Sequence, residues 1–469
     1  MKKNTAIHTE KPQYTSIRNA CKQCSPLGAS VVFRGVEQCV PLIHGSQGCA
    51  TYIRRYLISH FKEPMDIASS SFSENATIFG GKDNLFAGIS NIISQYNPKV
   101  IAITSTCLSE TIGEDVKAML LEYKNLHSDM QLPQFIFAST PSYAGTHMDG
   151  FHEAVKSLVE TCATDVSSHS KVNIMPGFVS PADIRHLKDI LHDYELDFIM
   201  IPDFSESLDN PSWEEYKFIP DGGTSIDELQ NSGGSQASIE FGYVLNKGGL
   251  SGRVKTNIAA YTAAEYLEKK HSVPRINLGM PIGIKQSDAF FTQLEKLSGK
   301  AMPDRYYKQR GRLIDSYVDA HKYVFGKRVV VYGEEDFVIG ITQFLLEVGI
   351  KPILIASGGE SGKMKEIITQ LCGEEVKDCI ISTGMDFEKI QELSANIKPD
   401  LFIGNSKGYY ITRKLQIPLI RVGFPIHDRF GGQRVQHLCY EGTQQLFDTI
   451  TNALVAYKQE KSHVGYKYM

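Results

Sequence analysis

Short apolar runs bounded by turn residues, with longer amphipathic stretches between them, constrain this chain more than any other feature. KVIAIT (99–104), QFIFAS (134–139), KVNIMPG (171–177), DFIMIPD (197–203), RVVVYG (328–333), PILIAS (352–357), CIIST (379–383), DLFIGN (400–405) and PLIRVG (418–423) are rich in Val and Ile and apolar at successive positions. A strand with one wet face would alternate, so these runs read as strands covered on both faces. Between them, stretches such as PADIRHLKDILHDYELD and DFVIGITQFLLEVGI repeat apolar residues at three- and four-residue spacing, the period of a helix packed along one side. Buried strands alternating with helices define an α/β chain: parallel sheets flanked by helices, in a repeated Rossmann-like architecture. At 469 residues the chain exceeds one ordinary core, and three domains are expected, at 1–165, 166–300 and 301–469. The Gly-, Ser-, Asn- and Asp-rich segment 205–250 reads as a long excursion with little regular structure, and a second break falls near 275–310.

A formal charge of -4 provides no basic field for nucleic acid. The opening MKKNTAIHTEKPQYT has no apolar signal region, and no apolar run approaches the roughly 18 residues of a spanning helix, so a cytoplasmic protein without membrane contact is expected. Nine cysteines in such a chain belong to a reducing compartment, where thiols are core residues, metal ligands or reactive groups.

Three of them share a local grammar. Cys24 lies in CKQCSPLGA, Cys49 in HGSQGCATY and Cys107 in ITSTCLSETIGED, each at a turn rich in Gly, Pro, Ser or Thr with a helix-like segment following. Turns at the carboxyl ends of parallel strands are where α/β proteins gather their chemistry, and a helix N-terminus lowers a thiol's pKa and favours metal ligation. Three buried structural thiols remain the alternative. CKQC, with Cys21, lacks the second pair a zinc finger needs and the preceding βα unit of a redox motif. Cys39, Cys162, Cys372, Cys379 and Cys439 stand mostly in apolar surroundings and read as core residues. Iron–sulfur clusters prefer four or more thiolates, so three suitable cysteines suggest that a partner subunit supplies the rest.

CSPLGA, HGSQGCATY, SSSFSENATIFGG, TSTCLSETIGED, TPSYAGTHMDGF, MPIGIKQSD, DSYVDAHKYVFGKRVVVYGEEDFVIG, DLFIGNS and PLIRVGFPIHDR follow one another along nearly the whole chain. In this order they resemble the β-type subunits of the nitrogenase component 1 superfamily. The resemblance implies three Rossmann-like domains, with Cys24, Cys49 and Cys107 as the β side of an iron–sulfur cluster shared across an αβ interface. That cluster would be a 4Fe-4S cubane or a P-cluster-type 8Fe-7S group. Ser142, in TPSYAG, matches a serine that can approach the cluster, beside which a helix-capping role stands equally.

The short N-terminus, RNACKQCSPLGA, TYIRRYLISHFKEPMDIASSSFSE, GFPIHDRFGGQR and the ending VGYKYM look more like the cofactor-assembly scaffold subunit (NifN type) than the catalytic β subunit. On that reading the partners are an α-like component 1 subunit (NifE type) in an α2β2 heterotetramer and, transiently, the nitrogenase iron protein. The chain would support maturation of the iron–molybdenum cofactor as a scaffold, with the maturing cofactor held by the α-like partner. All three cysteines being present keeps open a β subunit of nitrogenase or of a nitrogenase-like reductase.

Three other signals carry less. ASGGESGKM (356–364) misses a phosphate loop at Ser357 and Met364. Arg54 and Arg55, adjacent on a helix, point in different directions and suit charge compensation near an anionic cluster, docking of an acidic surface, or a solvated face. His44, and His427 with Asp428, read as hydrogen-bonded structural residues.

Overall fold

In the computed structural model, residues 21–244, 250–251, 254–255 and 262–464 are described; the opening MKKNTAIHTEKPQYT and the last five residues of the chain lie outside them. The first sheet holds β1 (Cys39–His44), β2 (Ala68–Ser69), β3 (Val100–Ser105) and β4 (Gln134–Ala138) in the order β2-β1-β3-β4. The second holds β5 (Val172–Met175), β6 (Phe198–Met200), β7 (Ala237–Phe241) and, after the small antiparallel pair β8 (Leu250–Ser251) and β9 (Val254–Lys255), β10 (Arg275–Leu278), in the order β10-β7-β5-β6. The third holds β11 (Arg328–Gly333), β12 (Lys351–Ser357), β13 (Ile380–Ser382), β14 (Leu401–Gly404) and β15 (Leu419–Arg421), in the order β13-β12-β11-β14-β15. Every pairing within these three sheets is parallel. The architecture is therefore the α/β arrangement of parallel sheets flanked by helices, and all of the apolar runs read from the sequence are strands.

Their composition explains their position. Successive residues of a strand face opposite ways, and in β11 Val329 and Val331 enter one apolar cluster while Val330 and Tyr332 enter another. The larger cluster is continuous from Leu27 to Leu454 and takes in residues of all three sheets.

The segment 205–250 corrects an expectation. It contains the helix Ile226–Asn231 and β7, a central strand whose neighbours are β10 and β5. β7 was hidden by its buried Glu240, which accepts from Thr262 Oγ1 at 2.8 Å and pairs with Arg275 Nη2 at 3.1 Å. β1 was likewise missed because Pro41 argues against a central strand. Its neighbour β2 reaches only Leu42 and Ile43, so Pro41 lies where the sheet is effectively an edge.

Two features tie the sheets together. The helices Ser25–Arg34 and His147–Cys162 cross at glycines: a Cβ on Gly28 would stand 1.7 Å from the His147 carbonyl oxygen, and one on Gly150 1.9 Å from that of Ser25. Farther along, buried Asp183 accepts from the backbone N–H of His437 at 2.7 Å and of Leu438 at 3.0 Å, and lies 3.0 Å from His437 Nδ1. Burial alone would raise its pKa, but His437 and these donors outweigh it and hold the carboxyl below its usual range. Asp183→Ala is expected to lower stability by about 3 kcal/mol or more, since it strands a buried partner, and a urea midpoint would read the loss. Because the folded pKa is depressed, this contribution is present above the unfolded carboxyl's pKa and fades as pH falls through the folded value. A variant insensitive to the change, or a loss that grows as pH is lowered through the carboxyl range, would refute the assignment.

Cys39, Cys162, Cys372 and Cys439 are buried as expected of core thiols, whereas Cys379 is half-buried. Among the described residues no helix is long and apolar enough to cross a membrane.

Candidate functional site

The first sheet's carboxyl edge collects the residues singled out in the sequence. β1 runs into Gly45 and Ser46, whose side chain caps the helix Gln47–Phe61 that carries Cys49 in its first turn. β3 runs into Thr106, which caps the helix beginning at Cys107 and closes a reciprocal pair with Ser109. The two turns touch: Thr106 Oγ1 donates to the His44 carbonyl at 3.1 Å, and a Cβ on Gly45 would stand 2.2 Å from Thr106 Oγ1. Only glycine at 45 permits this approach.

The turn after β4 brings Ser142, whose N–H donates to Cys107 Sγ at 3.2 Å. Its hydroxyl accepts from the N–H of Ser25 at 3.1 Å, at the start of the helix whose N-cap is Cys24. Ser142 thus caps the Cys24 helix from a distant part of the chain while lying against Cys107. Cys24 is also fixed through its neighbour Gln23, whose N–H donates to His147 Nδ1 at 3.2 Å and whose carbonyl accepts from the His147 N–H at 3.0 Å. The Gln23 side chain in turn accepts from Tyr52 Oη at 2.7 Å.

Cys24 and Cys49 are half-buried and Cys107 is exposed, and Cys107 is a charge neighbour of both others, so the three thiols form a partly exposed rim. Cys24 and Cys49 differ from the expectation that helix N-termini would lower the thiol pKa values. Burial pushes the Cys24 thiol up; the Ser142 hydroxyl and the Lys407 charge draw it down, and Cys107 adds an upward push. Burial also raises Cys49, with further pushes from Cys24 and Cys107. Charge on a neighbouring thiolate therefore disfavours ionisation of Cys24 and of Cys49, a conflict that a shared metal centre would relieve. Among the described residues no three His, Cys, Asp or Glu side chains close tightly enough for a single ion, which leaves the zinc reading of CKQC without a ligand set. Thiolates are the donors that multi-iron clusters take.

Cys21 faces elsewhere. Its thiol is fully buried against the third sheet, among Val330, Tyr332 and Leu354, and burial pushes its pKa to about 12. Its carbonyl packs so closely on the loop after β12 that a Cβ on Gly358 would stand 2.2 Å from it. ASGGESGKM, the near-phosphate loop, is thus pressed against the chain's own N-terminal segment.

The His44 reading holds. His44 is buried, with Nε2 2.8 Å from Glu114 Oε2 and Nδ1 3.1 Å from Ser70 Oγ. Asp428 is clamped by Arg421 at 2.6 Å. Arg54 and Arg55 are exposed, and neither is a charge neighbour of Cys24 or Cys49. The cation that does face Cys24 is Lys407, which the sequence did not reveal.

Residues 24–455 match the family described as nitrogenase component 1 type oxidoreductase. The chain belongs to this family. Within the nitrogenase component 1 family it is a β-type subunit. It is 36% identical over 439 residues to the nitrogenase molybdenum-iron protein beta chain of Clostridium pasteurianum, covering 93% of each chain. With the beta chain of Azotobacter vinelandii it shares 32% over 463 residues, 95% of this chain and 85% of that one. A solved structure titled "Nitrogenase Cp1 at pH 6.5" superposes with a TM-score of 0.91 at 34% identity over 98% of both chains. Another, "Nitrogenase Cp1 at pH 5", has a TM-score of 0.69 at 14% identity over 98% of this chain and 94% of that one, and shows the fold alone.

Proposed function

We propose that the chain supplies one side of an iron–sulfur cluster at an interface with an α-like component 1 subunit (NifE type) in an α2β2 heterotetramer, and works there as the β-like half of a cofactor-assembly scaffold. The observation that carries this is the open rim of Cys24, Cys49 and Cys107 beside Ser142. Three thiolates from one chain leave the cluster's remaining ligands to a second chain. Cys24, Cys49 and Cys107 would hold the cluster, which when bound supplies an electron relay. Ser142 orders the rim by capping one cysteine's helix and donating its N–H to another's sulfur. The iron protein would be the transient electron donor.

The scaffold reading draws on two segments with scaffold-like sequence, TYIRRYLISHFKEP and GFPIHDRFGGQR, which pack into one unit. Buried His60 accepts from the Ile426 N–H at 2.8 Å, and burial pushes its pKa down to about 3, so it stays a neutral acceptor. Lys62 Nζ stands 5.7 Å from the Phe430 ring. This unit is continuous with the helix that bears Cys49. A second reading, a β subunit of nitrogenase or of a nitrogenase-like reductase, is favoured by the complete thiol set. It is favoured too by the Clostridium relative, a nitrogenase molybdenum-iron protein beta chain matched over 93% of each chain.

The deciding experiment is anaerobic co-purification with an α-like component 1 subunit, followed by iron analysis, EPR and Mössbauer spectroscopy. About four irons per αβ interface in a single cubane, with uptake of a cofactor precursor and no substrate reduction when the iron protein is added, supports the scaffold. About eight irons with P-cluster-like redox behaviour and reductase turnover selects the second reading. An iron-free complex refutes both.

A further inference from the structure

Lys407 lies on the tight turn Ser406–Gly408 at the carboxyl end of β14, in the third sheet. The turn is built to be rigid. Asn405 Oδ1 accepts from the Lys407 N–H at 3.1 Å, and the Asn405 carbonyl accepts from the hydroxyl of Tyr332, a fully buried side chain that also packs beneath Gly408. From this base the side chain reaches back toward the first sheet, where its Nζ stands 5.7 Å from the ring of Tyr56, two turns along the helix that carries Cys49.

The charges around it are few and specific. Cys21, Cys24 and Glu334 face the ammonium and favour its charged form against burial, which draws its pKa down. Glu334 is itself engaged, with Oε1 2.9 Å from His147 Nε2. Cys24 has Lys407 as its cationic neighbour and Cys107 as its thiol neighbour, while Cys49 has only the other two rim thiols. The cradle is thus anionic on the Cys49 and Cys107 side and compensated from the Cys24 side by one partly buried lysine. A charge held in such a place is screened much less by solvent than those of exposed Arg54 and Arg55.

We propose that Lys407 is a positioning residue of the cluster site: a fixed cation on the Cys24 side that stabilises the cluster's more negative, reduced form. This inference rests on the iron–sulfur reading above. It goes beyond that reading by assigning the potential of the bound group to a residue of the third sheet. Adding an electron makes a thiolate-ligated cluster more negative, so a nearby cation raises its midpoint potential. Removing the cation lowers it.

The test uses the anaerobic complex with its α-like partner, comparing wild type, Lys407→Met and Lys407→Arg by iron content and by EPR-monitored redox titration. For Lys407→Met the reduced-to-oxidised ratio at a fixed potential is expected to fall about tenfold, which for a one-electron couple is 59 mV toward more negative values. Lys407→Arg should stay near wild type. If the Met variant instead loses iron and the Arg variant keeps it, charge compensation is again supported. Equal behaviour of Met and Arg, whether as an unchanged potential or as a shared loss of iron, overturns the proposal. A wild-type complex that binds no iron overturns the cluster reading itself, and the variants tell the two failures apart.

Discussion

Cys49→Ala is expected to strip the interface of iron while leaving the protein folded. Cys49 is the rim thiol whose charge neighbours are both other cysteines. It lies in the first turn of the helix Gln47–Phe61, where its backbone N–H donates to the Ser46 carbonyl at 3.1 Å, a bond that alanine keeps. Alanine is also the better helix former, and the sulfur is only half-buried, so the stability change should stay within about 1 kcal/mol. Losing a thiolate, by contrast, leaves iron under-coordinated and the two remaining thiols without their shared centre. Iron per αβ interface should fall from its wild-type value to near zero, with the thermal midpoint of the complex nearly unchanged. Wild-type iron stoichiometry in the variant would remove Cys49 from the ligand set.

Gly28→Ala should do the opposite, taking the fold and the iron together. Helix propensity on its own favours alanine by about 1 kcal/mol, so local reasoning forecasts a gain. The crossing decides otherwise: the new Cβ would stand 1.7 Å from the His147 carbonyl oxygen and 2.8 Å from the Phe151 nitrogen, both backbone atoms that no rotamer change can clear. Pushing the helices apart should destabilise by about 3 kcal/mol or more, at or beyond the usual range for overpacking. It would also move Gln23 off His147 and Cys24 away from the Ser142 turn. A urea melt of the variant, run beside its iron content, reads both effects. A stabilised variant with full iron would show that the two helices do not meet as described.

The two substitutions mark what the sequence could and could not convey. Strands such as RVVVYG and DLFIGN were legible because burial on both faces writes itself into consecutive apolar residues. The strand Ala237–Phe241 was not, because the partners that let Glu240 sit inside it, Thr262 and Arg275, are distant in the chain. The cysteines were legible from their turns, where Gly, Ser and Thr mark the passage from strand to helix. What draws those turns together was not: Gly45 reads as any turn glycine until Thr106 is seen against it, and Gly28 reads as a weak spot in a helix until His147 is. Lys407 was out of reach for the same reason, standing hundreds of residues from the thiol it faces. Arg54 and Arg55, close in sequence to Cys49, face solvent instead.

The turn contacts that shape the rim come mainly from groups other than sulfur. Gly45 rests on Thr106, Ser46 and Thr106 cap their own helices, Ser142 caps the helix of Cys24, and the Gly28 crossing holds that helix down. Folding and ligand choice are thereby separable traits. If the rim cysteines hold a cluster as proposed, a lineage built on this frame can exchange one for serine or alanine, and so change how many irons it carries, without first acquiring a compensating mutation. The same three turns can then serve a catalyst, a courier or a workbench, with the difference written in a few side chains at the edge of one sheet.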